Sequence, residues 1–381
     1  MAKVIVGMSG GVDSSVAAYL LKEKGYEVQG VSFVFWRDEN RIDLKTCCSF
    51  QSLKDASKSA HQIGIPHSII DLRNDFTEKV IKPFVNAYLR GFTPNPCILC
   101  NRFIKFPFLL KEAEKIKADY IATGHYARIE KIQESEIKSQ KLKNNLYLIK
   151  KGIDPKKDQS YFLYVLKQKI LKKLLLPLGN YKKNEVRSIA KDLNLDALER
   201  TESQEICFIK ESNYLKFIEK FSGIQSRSGH IVDSDGNVIG IHKGIYKFTI
   251  GQRKGLGISS RHPFYVVKID AEKNRIYVGD FESAQMNNVF ADRLNWIYYP
   301  RQILVKNNND GIAFRALVKV RSAMKEQPAT INILKNKKIE KAKTVQIIFD
   351  EPQWAPAPGQ SAVFYDGDVI IGGGIIYATN I

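Results

Sequence analysis

The chain is expected to be α/β: a doubly wound parallel sheet, then a small β-rich central domain and a C-terminal antiparallel β-barrel. Three observations predict this. Over residues 1–125, short apolar runs alternate with segments of helical periodicity, the pattern of a parallel sheet covered on both faces. The first run ends in a glycine- and serine-rich turn that opens a helix. From about Gly229 the texture changes to short strands between turns, and after about residue 285 such strands continue to the end of the chain. The expected domains are 1–210, 211–284 and 285–381.

Val4 to Val6 is the first buried strand. Gly7-Met8-Ser9-Gly10-Gly11-Val12-Asp13-Ser14-Ser15 comes next, then Val16 to Leu21 with helical spacing. Adjacent glycines reach dihedrals that a side chain forbids, so consecutive N–H groups can converge on one anion. The helix aims its positive dipole end at the same point, and the serines add hydroxyl donors. This is a phosphate cradle. No Gly-Lys-Ser/Thr is present after it and the spacing is not G-x-G-x-x-G, which excludes the Walker and dinucleotide types. The string S-G-G-V-D-S-S resembles the PP-loop of the N-type ATP pyrophosphatases, which cut ATP between its α and β phosphates and use the adenylate to activate an oxygen.

Val28 to Phe35 is a second buried strand, Leu53 to Ile63 a helix ended by Gly64 and Pro66, and His67 to Ile70 a third strand. Phe76, Val80, Ile81, Phe84, Val85, Tyr88 and Leu89 share one helical face, stopped at Gly91. A helix around Phe106 to Ile116 precedes a strand at Tyr120-Ile121-Ala122. Ligands bind beyond the carboxyl ends of such strands. The Gly-rich loop, Phe33 to Trp36 and Thr123-Gly124-His125-Tyr126 are the segments placed there. Glu130 to Asn145 reads as a polar hairpin tip, with helices near Leu166–Leu175 and Glu185–Leu193 beyond it. Two hairpins pair Ile231-Val232 with Val238-Ile239 and Tyr265–Val267 with Arg275–Val278. Strands at Ala313–Val320, Ala329–Leu334, Val345–Phe349, Ser361–Tyr365 and Val369–Ile371 make the barrel.

A chain of 381 residues, 44% hydrophobic and 26% charged, buries sizeable cores. Its 59 Lys and Arg against 40 Asp and Glu give a net charge of +19, which implies a polyanionic partner, nucleic acid first. No apolar run approaches the length of a membrane span, and Met1-Ala2-Lys3 leads straight into a strand. A cytoplasmic protein with no membrane partner is expected. Five cysteines (Cys47, Cys48, Cys97, Cys100, Cys207) are an odd number in a chain too large to need staples, which favours reactive or metal-binding thiols. In Thr93-Pro94-Asn95-Pro96-Cys97-Ile98-Leu99-Cys100-Asn101, the prolines are expected to hold the backbone extended. A zinc site would want a second C-x-x-C or a His pair. Cys207 stands alone in an apolar stretch, Ile206-Cys207-Phe208-Ile209, where core packing is the plainer reading.

N-P-C-I-L-C-N, T-G-H-Y-A, K-D-Q-S-Y-F-L, E-I-C-F-I, G-Q-R-K-G-L-G-I and P-G-Q-S-A-V-F-Y with G-G-G-I-I succeed S-G-G-V-D-S-S in order. Together, from Gly7 to Ile376, they resemble the bacterial tRNA 2-thiouridylases (MnmA/TrmU family), which replace the C2 oxygen of the wobble uridine with sulfur. The resemblance implies ATP and Mg²⁺, with Gly7, Met8, Ser9, Gly10, Gly11, Val12, Asp13 and Ser14 at the phosphates, Asp13 toward Mg²⁺, and Phe33 and Gly124 near adenine. It implies a persulfide on Cys207, received from a sulfur-donor protein, and Cys100 as partner thiol, closing a Cys100–Cys207 disulfide as sulfur leaves. The family usually has aspartate where this chain has Cys97. That departure leaves open a second arrangement, in which Cys97, Cys100 and Cys207 bind three irons of a 4Fe–4S cluster whose fourth iron carries hydrosulfide.

By the same resemblance the tRNA anticodon arm meets Asn95, Pro96, Cys97, His125, Lys157, Asp158 and Gln159 at the target base, and Arg321, Ser322 and Gln360 in the barrel. The loop Gln252-Arg253-Lys254-Gly255 can approach a phosphate. The enzyme is expected to be a monomer when free. Two rivals stand beside this reading: a PP-loop enzyme acting on a small molecule, which the thiols and basic charge disfavour, and a non-catalytic RNA-binding protein, which the intact Gly-rich loop disfavours.

Overall fold

The computed structural model describes residues 1–36, 50–132, 145–199, 206–209, 213–298, 304–306, 312–334 and 343–379. Cys47 and Cys48, and the tip at 133–144, lie outside them. The chain divides into two compact units. The first holds Met1–Ile81, Pro96–Ser212 and Asp368–Ile370; the second holds Lys82–Asn95, Asn213–Gly367 and Ile371–Ile381.

The first unit is built on strands β1 (Lys3–Gly7), β2 (Glu27–Val34), β3 (His67–Asp71), β4 (Tyr120–Thr123), β5 (Ala127–Ile132), β6 (Leu146–Lys151) and β7 (Leu174–Leu175). A parallel sheet runs β3-β2-β1-β4-β7, while β5 and β6 form an antiparallel hairpin. Helices α1 (Val12–Glu23) and α2 (Phe50–Ile63) and the helix Lys183–Asp192 share a core with the sheet: Val16, Ala17, Leu21, Ala56, Ala60, Val186 and Ala190 pack with Val4, Val6, Val28 and Ala122. Ile5 and Gly7 point the other way, where Leu109 of the helix Phe106–Lys115 lies 3.3 Å from a Cβ built on Gly7. The doubly wound α/β class holds.

Two local expectations change. The stretch Leu166–Leu175 is a short helix, Gln168–Leu171, with β7 after it, because Leu174 and Leu175 pair with Ile121 and Ala122 of β4. An apolar run of that length does not reveal which partner it will find. The helix expected through Phe76–Leu89 is Arg73–Phe76, a π-helical turn Thr77–Ile81, then Lys82–Leu89. A second π-helical turn, Asn101–Lys105, precedes Phe106–Lys115. Pro83 and Pro107 each stand second in the α-helix beyond such a turn. A proline there has no N–H to give and crowds the carbonyl four residues back, and a widened turn relieves both.

In the second unit, Gly229–Val232 pairs antiparallel with Val238–His242, and Tyr265–Asp270 with Arg275–Gly279. A parallel pairing of Arg275–Tyr277 with His230–Val232 joins the two hairpins into one sheet. The barrel runs Gln285–Trp296, Thr344–Trp354, Gln327–Ile333, Ile312–Lys319, Ser361–Asp366 and Val369–Thr379, and closes by pairing the first strand with the last. Its interior is Val289, Phe314, Val318, Ile331, Ile347, Phe364, Ile371 and Ile376.

Candidate nucleotide and thiol site

Strand order reverses between β1 and β4, so their carboxyl ends mark the switch point where ligands bind in such sheets. The Gly-rich loop leaves β1 there. Gly10 sits at φ +77°, a left-handed backbone that favours glycine, and Gly11 is the residue before α1. Ser14 Oγ accepts the Ser9 N–H (3.1 Å) and donates to the Gly11 carbonyl (3.0 Å); Ser15 Oγ donates to the same carbonyl (3.2 Å). Ser14 and Ser15 are buried and thus shape the loop, while Ser9 is exposed.

Behind the loop is a relay that the sequence did not signal. The Met8 N–H donates to Val31 O (2.8 Å), and the Met8 carbonyl accepts from Ser32 Oγ (2.7 Å). His67 Nε2 stands 2.8 Å from Ser32 Oγ, and its Nδ1 stands 2.9 Å from Ser57 Oγ. The Ser32 hydrogen is spent on Met8, so Nε2 is the donor and the neutral ring accepts from Ser57 at Nδ1. Burial lowers the His67 pKa, in keeping with that state.

Gly124 stands just past β4. A Cβ there would come within 2.7 Å of the Asp13 carbonyl carbon and 2.8 Å of Ser14 N, so the absence of a side chain lets β4 touch the first turn of α1. The Asp13 carboxylate accepts Tyr126 Oη (2.6 Å) and Lys183 Nζ (2.8 and 2.9 Å). His125 Nδ1 pairs with Thr123 Oγ1 at 2.7 Å. Burial first, then the charge of Lys105, holds its pKa well below the usual histidine value, so this ring is neutral. Gln159 clasps Tyr126 in both directions: Tyr126 N–H donates to its Oε1 (3.0 Å), and its own N–H donates to Tyr126 O (2.9 Å). Asp158 accepts from Gly152 N (3.1 Å) and from Ser160 N (3.1 Å) and Oγ (2.8 Å). Gln159 is therefore brought against Tyr126, beside His125 and Thr123.

The thiol segment corrects one expectation. Pro96–Cys100 is a helical turn rather than extended chain, because Pro96 stands at its first position, where a fixed φ suits a helix start. Cys97 is exposed and Cys100 buried, and the Asn101 side chain donates to Phe162 O (3.0 Å). Cys207 is half-buried and leads into the core: Phe208 and Ile209, which follow it, are 4% and 6% exposed. Phe208 meets Phe76 edge-on (5.6 Å), Phe76 stacks on Phe35 (4.9 Å), and Phe35 lies 5.8 Å from Phe33. An aromatic row thus runs from the end of β2, where Phe33 is expected to meet adenine, to the segment bearing Cys207. The core reading holds for Phe208 and Ile209, while Cys207 keeps partial exposure. Among the described residues no three His, Cys, Asp or Glu stand close enough to hold one metal ion.

In the second unit, Arg321 Nη2 donates to Ile250 O (3.1 Å) and Ala355 O (2.7 Å), and Ser322 is exposed. Gln360 Nε2 donates to Thr93 O (2.8 Å), and Thr93 N–H donates to Pro358 O (2.7 Å). This grips the chain two residues before Asn95. Arg253 and Lys254 are exposed in their loop.

A phosphate cradle at the switch point of a doubly wound sheet, with thiols in the same unit, defines a PP-loop nucleotide-binding protein of the thiol-bearing kind. Comparison with known proteins agrees. Residues 2–211 match the tRNA methyl transferase HUP domain, 216–280 the tRNA methyl transferase PRC-barrel domain and 287–376 the aminomethyltransferase beta-barrel domain. The tRNA-specific 2-thiouridylase MnmA of Clostridioides difficile is 44% identical over 375 residues, covering 98% of each chain. MnmA 1 of Caldanaerobacter subterraneus subsp. tengcongensis is 47% identical over 377 residues, covering 98% of this chain and 97% of its own. A 4-thiouridine synthetase–RNA complex with bound ATP overlays loosely, with TM-score 0.33 and 16% identity over 57% of this chain and 50% of that one. The chain belongs to the tRNA-specific 2-thiouridylase (MnmA) family. No helix among the described residues is long and apolar enough to cross a membrane.

Proposed function

We propose that this chain is an ATP-dependent sulfurtransferase that converts the C2 oxygen of the wobble uridine of tRNA to sulfur. The carrying observation is that one α/β unit holds both the Gly-rich cradle and the thiols Cys100 and Cys207, with the row Phe33, Phe35, Phe76 and Phe208 running from the end of β2 to the segment that bears Cys207. A phosphate cradle suits adenylation, and thiols suit the delivery of sulfur to an adenylated carbon. Methyl transfer, the term in two of the matched domain descriptions, needs neither.

Carbonyl oxygen on a pyrimidine is a very poor leaving group. Attack of the C2 oxygen on the α phosphorus of ATP would make it an adenylate, with pyrophosphate leaving into the loop from Gly7 to Ser14. Mg²⁺ held there through Asp13 and phosphate oxygens would neutralise part of the triphosphate charge. Phe33 and Gly124 would bound the adenine. The outer sulfur of a Cys207 persulfide, received from a sulfur-donor protein, then attacks C2, and AMP departs with the C2 oxygen. The Cys100 thiolate attacks Cys207 Sγ; the S–S bond breaks, its electron pair stays on the sulfur bound to C2, and a Cys100–Cys207 disulfide remains for an external thiol to reduce. Both steps need thiolates.

The target base must leave the anticodon stack to reach these groups. Asn95, Pro96, Cys97, neutral His125, Lys157, Asp158 and Gln159 would line its pocket, and Arg321, Ser322 and Gln360 would meet the anticodon arm. Residues 1–210 would carry the chemistry, with 211–284 and 285–381 serving tRNA. The test is mass spectrometry of nucleosides from tRNA incubated with the protein, ATP, Mg²⁺ and a persulfide source. 2-Thiouridine at the wobble position is the expected product; its absence, with the protein folded and ATP bound, overturns the assignment.

A further inference from the structure

We infer that Lys183 is a nucleotide-binding residue: it neutralises the β and γ phosphates of ATP, moving to them from the Asp13 carboxylate that holds it in this structure. The inference rests on the reading of the Gly-rich loop as an ATP site. Lys183 Nζ lies 2.8 and 2.9 Å from the two oxygens of Asp13, a residue of the first turn of α1, and its side chain is only 13% exposed. Its ammonium also stands 5.9 Å from the centroid of the Tyr126 ring, whose hydroxyl donates to the same carboxylate. The backbone is fixed where the side chain departs, since the Lys183 N–H donates to Asp154 Oδ2 (3.0 Å).

Two physical points separate this from an ordinary tie between helices. The helix Lys183–Asp192 already packs on α1 through Val186 and Ala190, so the apolar core supplies the attachment. A partly buried ion pair adds little net stability there, because desolvation offsets most of its attraction. Asp13 also places a negative charge where a triphosphate is to arrive, and unpaired it would repel the ligand. A cation already desolvated beside it corrects that balance. A lysine ammonium is a point charge on a flexible stem, and it can turn from a carboxylate to phosphate oxygens without moving the backbone. Once it does, Asp13 is available to Mg²⁺.

ATP and AMP affinities, measured by calorimetry without tRNA, test this directly, because AMP lacks the β and γ phosphates. In Lys183→Met, ATP affinity should fall about 10- to 100-fold, the worth of a charge-assisted hydrogen bond, while AMP affinity stays within about twofold of wild type. Lys183→Arg should keep most of the preference for ATP. A folded Lys183→Met whose ratio of ATP to AMP affinity equals that of wild type overturns the inference. Should that variant not fold, Asp13→Asn decides: with Lys183 released, metal-free ATP should bind more tightly than to wild type, and unchanged or weaker binding overturns it. Wild-type protein that binds neither nucleotide overturns the ATP reading itself, and this inference with it.

Discussion

Cys207 shows how far one side chain is set by its neighbours. Phe208 and Ile209 lock the segment into the core, and Cys207 beside them keeps partial exposure. If it carries the sulfur, Cys207→Ser loses 2-thiouridine formation while the adenylation half continues; release of pyrophosphate that persists without thiolated product checks this, and retained thiolation refutes it. The buried histidines carry a second prediction. His67 and His125 have native pKa values below the usual 6.5, mainly because burial disfavours the charged ring. The unfolded chain takes up these protons near 6.5 and the native chain only at lower pH. Their contribution to stability is therefore whole above about 6.5 and lost as pH falls below it. Thermal melts should shift downward below that pH, and less so in His67→Asn; a melting temperature flat to pH 5 contradicts this. Of the residues around the cradle, those contiguous in a motif were legible in the sequence. Lys183 was not, since it lies 170 residues from Asp13 and only the docking of its helix on α1 brings them together. Ser32 and His67 escaped for the same reason, each resembling an ordinary strand residue.

At the scale of elements, strands with clean patterning were legible and the barrel's closing strand was not. Gln285–Trp296 buries Met286, Val289 and Ala291, but bulges near Met286, Phe290 and Asp292 break the alternation that marks a strand. Its partner, expected only over Val369–Ile371, extends to Thr379, because a run of three glycines looks like an end to a strand when taken alone. The contacts explain the glycines. A Cβ on Gly374 would stand 2.6 Å from the Asp292 carbonyl oxygen and from Leu294 Cδ2, and one on Gly372 would collide with the Asn295 carbonyl. At these two positions the strands come this close because side chains are missing. Gly374→Ala should therefore cost about 1–3 kcal/mol, as overpacked sites do, read as a lowered midpoint in urea; an unchanged midpoint would show that the seam has room to relax. The turn at Pro96 belongs to the same scale: proline suits both an extended chain and the first position of a helix, and only the packing of Ile98 and Cys100 in the interior selects the second.

For the whole molecule, the governing quantity is the net charge of +19. Fold-scale reading from composition could say only that a polyanion is the partner, because charge fixes no position. The positions come from the fold. Arg253 and Lys254 are exposed on a loop whose own shape is held by Gln252, through Thr249 N–H and Lys254 O. In the proposed function such residues would meet phosphates, while the target base would meet a separate set in which His125, Asp158 and Gln159 are already hydrogen-bonded. Affinity for tRNA and selectivity for the base should therefore separate. Each phosphate neutralised releases about 0.7 to 0.9 counterions, so log K against log salt should fall with a slope steeper than about −2, more than tenfold between 50 and 200 mM. Arg253→Gln with Lys254→Gln should make that slope shallower by roughly one to two and weaken all tRNAs alike. Replacing Cys97 should leave the slope unchanged, since a thiol at the base pocket releases no counterion. A flat salt dependence in the wild-type protein would mean that the excess of lysine serves something other than the tRNA backbone.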